Sequence, residues 1–126
     1  MSPNENGLYF HAIDTVLADI KADYSLTKVY LTSQAISFND YPNQINDLDI
    51  VISDVSNSKK ISRRMNSNDI WLRVMPISII RNQLSIVIWA YKKNDKQIVL
   101  LDMTGYKVQY ELNCPSNTYE LIDFEH

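Results

Sequence analysis

Residues 69–112 read DIWLRVMPISII, RN, QLSIVIWAY, KKND, KQIVLLDM, TG, YKVQYEL, and the fold turns on this stretch. Leu84, Ile86, Ile88 and Ala90 alternate with Ser85, Val87, Trp89 and Tyr91, the period-2 signature of a strand. Both sets are largely apolar, so the strand is expected to lie centrally in a sheet, with another part of the chain covering at least one face. Turns at Arg81-Asn82 and at residues 92–95 make the region a β-meander. Pro76 cannot donate a ladder hydrogen bond, which argues for an edge position or a bulge. Gly105 divides the run 97–112 and predicts a bulge or sharp bend there.

The cover for this sheet is an amphipathic helix near the N-terminus. Ser2, Pro3 and Glu5 form a helix-start signal, although a start nearer Asn6 would keep Gly7 from weakening the first turns. The helix is expected to run to about Asp23 and to bury Tyr9, Ile13, Val16, Leu17, Ile20 and Tyr24. Residues 28–31 then read as a short strand that residues 33–38 extend after a bend. The Asn-, Asp- and Pro-rich residues 39–47 read as a loop, and residues 48–53 as a second strand. Residues 56–68 permit either a short helix, from Ile61 and Met65 at i, i+4, or a loop, from their Ser and Asn content. The last strand spans 118–124, with Tyr119 and Leu121 on one side and Ile122 and Phe124 on the other.

The expected architecture is therefore α+β: one long N-terminal helix packed on a bent, mostly antiparallel sheet of five or six strands, in a single domain of 126 residues. That order of elements resembles the cystatin-like and nuclear transport factor two-like architectures, in which a curved sheet wraps a long helix. The runs WLRVMPISIIRNQLSIVIWAY and LLDMTGYKVQYELNC also look like the C-terminal portion of small bacterial proteins of this build. The chain departs from the nuclear transport factor two-like pattern in showing one clear N-terminal helix where such domains have more. The resemblance carries no functional residue with it.

Composition excludes several function classes. Apolar residues at 45% and charged residues at 21% are ordinary globular values, which rules out wholesale disorder. With two glycines the chain has no glycine-rich phosphate loop, and with Cys114 as its single cysteine it has neither an intramolecular disulfide nor a cysteine zinc site. No segment reaches the roughly 18 apolar residues of a membrane span. The expectation is a soluble protein, cytoplasmic as given, or exported if a leader has been removed. No cofactor is expected.

Charge is blockwise. Residues 1–54 hold eight acids and two bases, residues 55–96 two acids and nine bases, and residues 97–126 five acids and one base. Folding either interleaves these blocks, so that they neutralise one another, or keeps them apart as fields that steer a partner.

Candidate site residues fall into three groups. His11 and Asp14, three apart on the helix, have the spacing of a carboxylate that orients an imidazole base, against the plainer reading of a boundary histidine. Asp47, Asp49 and Asp54 gather at the second strand, where a hard cation is weighed against a solvated strand end. Lys59, Lys60, Arg63 and Arg64 place four cations within six residues. If helical, they suit phosphate or an acidic protein, while the absence of interleaved aromatics and the net charge of −3 weigh against nucleic acid. Trp89 and Tyr91, if exposed on the sheet's second face, would form a partner surface or a dimer interface. These features favour a non-enzymatic binding protein that recognises another protein or a second copy of itself. The alternative is a small-molecule pocket, or a hydrolase or isomerase, between helix and sheet, with His11 and Asp14 at its polar end.

Overall fold

The computed structural model describes residues 5–33, 41–45, 48–53, 58–94, 96–101, 105–113 and 118–125. A helix α1 (Glu5–Asp23) is followed by β1 (Lys28–Ser33), β2 (Gln44–Ile45) and β3 (Leu48–Ile52). A short helix α2 (Ser58–Arg64) then leads into β4 (Asp69–Val74), β5 (Ser78–Ile80), β6 (Gln83–Asn94), β7 (Gln97–Leu100), β8 (Tyr106–Asn113) and β9 (Thr118–Glu125). The chain is α+β with a mostly antiparallel sheet, as its patterning predicts. The described strands number nine, however, where five or six were expected. The excess has local causes: Pro76 splits the first meander run into β4 and β5, the Gly105 region splits the second into β7 and β8, and two residues of the expected loop pair as β2.

β6 is the hub. Along one edge it pairs with β5 through residues 83–85 and with β4 through residues 88–92; along the other it pairs with β8 and then β7. Between the first two pairings the chain takes four steps, Val74 to Ser78, against three on β6, Ile88 to Ser85. Pro76 lies in that bulge, where no ladder donor is required of it. The Arg81-Asn82 hairpin turn holds Arg81 at φ 59°, the left-handed region that such two-residue turns demand. Gly105 is left-handed too, at φ 76°. A side-chain carbon there would come within 3.1 Å of the Trp89 ring, so the site needs glycine for space as well as for backbone freedom.

The N-terminal half of the sheet is built differently. β1 lies between β3 and β4 and runs parallel to both. Its six residues are apolar on both parities apart from the ends and Thr32, which is how a strand covered on two faces reads. The β3–β4 connection carries α2 across β1, a crossover that parallel pairing requires.

The two helices lie on opposite faces. α1 packs on Val29, Leu31, Ile70, Leu72, Ile86, Ile88 and Val108, the main core. Leu8 and Ala12 widen its buried stripe beyond the predicted positions, whereas Tyr24, beyond the helix end, is 39% exposed. Ile61 and Met65 pack instead on Tyr30 and Trp71, which alternate with the first set, in a second, smaller cluster. In the β8–β9 pair the register shifts between Gln109 and Tyr110 of β8, so that Leu121 faces Tyr110 and Phe124 faces Val108. The extra residue Ile122 therefore brings Tyr119 and Phe124 onto the same core face, a correction to the simple alternation expected there.

Candidate functional site

The segment 58–64 is too short to be a stable helix alone, and tertiary packing has to hold it. That packing comes from Ile61 and Met65, each about 2% exposed, one turn apart on the face turned to the sheet. Their spacing leaves Lys59, Lys60, Arg63 and Arg64 on the outside, all exposed. The end of the helix is tied to the sheet through Asp69, whose buried carboxylate accepts the Asn66 N–H at 2.8 Å and the Thr27 hydroxyl at 3.0 Å.

Trp71 lies beneath α2. Its indole Nε1–H donates to Thr32 Oγ1 at 2.9 Å, which satisfies both polar groups in a buried setting. Its ring stacks on Tyr91 with centroids 4.6 Å apart and planes 27° off parallel. Above the ring a hollow of about 320 Å³ is lined by Lys59, Ser62, Arg63 and Trp71. From β6, Lys93 donates to the Ser62 carbonyl at 3.1 Å, joining the β6–β7 hairpin to the helix. Part of the basic block, the four α2 cations and Lys93, thus gathers on one face, while Lys92 lies on the other, over the Tyr24 ring. Among the sequence candidates, Lys59, Lys60, Arg63, Arg64 and Tyr91 come together here. Trp89 shares the face two residues along β6, half-buried against Gly105. Trp71, Ser62 and Lys93 join them through tertiary contacts that local spacing does not encode.

His11 and Asp14 are exposed on α1, and each takes a tyrosine as its hydrogen-bond partner. His11 Nδ1 lies 2.7 Å from the Tyr110 hydroxyl, with the rings edge-to-face at 5.6 Å. The Tyr41 hydroxyl donates to Asp14 Oδ1 at 2.9 Å. Burial first, then the negative charge of Asp14, raises both tyrosines above the ordinary phenol range; for Tyr41 the hydrogen bond to Asp14 adds to this. Both phenols therefore stay protonated near neutral pH and do not serve as bases, and Tyr41 donates to Asp14.

Asp49 is exposed and accepts from Gln44 Nε2 at 3.4 Å. Asp47, Asp54 and Cys114 lie outside the described residues. Among the described residues no group of three His, Cys, Asp or Glu side chains converges to hold a metal ion. No described helix is long and apolar enough to cross a membrane. Neither a family model nor a curated protein nor a solved structure matches the chain, so its function is read from this geometry.

Proposed function

We propose that the chain is a non-enzymatic binding protein that recognises an acidic segment of another protein through the outer face of α2. The observation that carries this reading is the exposure of Lys59, Lys60, Arg63 and Arg64 on the outer side of α2, with Lys59 and Arg63 lining the Trp71 hollow and Lys93 bonded to the Ser62 carbonyl. Four cations on one short, docked helix form a local field that draws an acidic surface and orients it before contact. The hollow gives one side chain of the partner an apolar floor between two cationic walls. A protein partner fits better than single-stranded nucleic acid, because Trp71 is only 8% exposed and already stacked on Tyr91. It offers no open ring for a base to stack on.

The test is the association of the full chain with a labelled poly-glutamate peptide and with a single-stranded oligonucleotide of matched charge. The peptide is expected to bind with an affinity that falls as salt rises. Replacing Lys60→Glu and Arg64→Glu together is expected to slow association and flatten its salt dependence. Unchanged rates in that variant, or preference for the oligonucleotide, would remove α2 from recognition.

A further inference from the structure

On the α1 side of the sheet, a cleft of about 490 Å³ opens between α1 and Tyr41, Pro42, Ile45 and Leu48. Its size is in the range of small-molecule sites, and its walls have the usual composition of such sites, largely apolar with a few polar groups. Leu17, Ile45 and Leu48 supply apolar surface, and Phe10, Tyr41 and Asp14 line it too. Among the described residues, Lys21 is its other charged group.

We infer that this cleft binds a small organic cation: an ammonium head at Asp14 with an apolar tail along the helix. Among the described residues Asp14 accepts a hydrogen bond from Tyr41, and a carboxylate has lone pairs for several donors. The phenol that holds it in place stays protonated, so the carboxylate retains its orientation. Phe10 and Tyr41 meet edge-to-face, with centroids 4.9 Å apart and planes at 69°. Phe10, half-buried and one helical turn before Asp14, lines the same cleft, and the negative face of a ring attracts a cation that has left water. Lys21 follows Asp14 by seven residues, about 10 Å along the helix axis, so the two charges mark opposite ends of the cleft. An ammonium is drawn to the Asp14 end and repelled from the other, which fixes the direction of the ligand. This site shares no residue with the α2 face, so either can fail without the other.

Titration calorimetry of the full chain with n-octylammonium, octanoate and octanol tests the inference. Octylammonium is expected to bind, and both analogues at least tenfold more weakly. Asp14→Asn keeps an acceptor for the Tyr41 hydroxyl but removes the charge, and is expected to weaken octylammonium at least tenfold. Lys21→Met is expected to leave its binding unchanged or tighter. Octanoate binding as tightly as octylammonium would assign the charge recognition to Lys21 and overturn the proposal. Absence of any octylammonium binding, or full affinity in a folded Asp14→Asn, would overturn it as well. The comparison of the three ligands on the unsubstituted chain decides the matter even if Asp14→Asn does not fold.

Discussion

The Tyr41 phenol meets the Asp14 carboxylate and the Tyr110 phenol meets His11, both buried and both under the influence of the Asp14 charge, and that fixes how the protein responds to alkali. Burial and the Asp14 charge disfavour the phenolate in the folded chain, so the folded pKa of each lies above the ordinary value near 10. The stability this contributes is fully present below that value and is lost as pH rises through and beyond it, because the unfolded chain then gives up protons that the folded chain retains. Denaturant unfolding on either side of about pH 10 is expected to show a steep loss above it, with tyrosinate absorbance rising in step with unfolding. In a Tyr41→Phe variant part of that loss should vanish; a pH-independent unfolding free energy across the range would contradict the account. The sequence holds little warning of these pairings. Tyr41 stands 27 residues from Asp14 and Tyr110 stands 99 from His11, so helical spacing finds only the His11–Asp14 neighbourhood and neither phenol.

Among the elements, α2 shows how much a pattern can carry. Ile61 and Met65 at i, i+4 signal it, while the surrounding Ser and Asn signal a loop; packing on Tyr30 and Trp71 decides the outcome. Ile61→Ala is therefore expected to cost roughly 2–5 kcal/mol and to weaken acidic-peptide binding without changing any charge. Guanidinium unfolding followed by tryptophan emission measures the first effect and anisotropy the second; an unchanged midpoint would mean that the helix is not docked. The hub strand β6 was legible because alternation over so many residues has one reading, and the Pro76 bulge because proline lacks a donor. The slip at Ile122 was not, since period-2 patterning is blind to a single inserted residue until the partner strand is known. The parallel pairs were hidden for a similar reason: a six-residue strand apolar on both parities also suits the centre of an antiparallel sheet.

For the molecule as a whole, the sequence showed that the charges come in blocks and left open whether folding mixes them. The topology answers for the two helices. α1, with Asp14, Asp19 and Asp23 against Lys21, and α2, with its four cations, lie on opposite faces of one sheet. That topology depends on the crossover between β3 and β4, which sends α2 to the face α1 does not occupy. The sequence left residues 56–68 open between a short helix and a loop, and only the helix, docked on the second face, brings this separation about.

The separation has a consequence for handling the protein in solution. Ion-exchange media respond to the surface turned toward them, not to the sum over the chain. With a formal charge of −3, the protein should be held by an anion exchanger at neutral pH, and its α2 face should also hold it on a cation exchanger at low ionic strength. Lys60→Glu with Arg64→Glu should abolish the second retention and strengthen the first. The isoelectric point, a sum over the whole chain, carries no trace of that second retention.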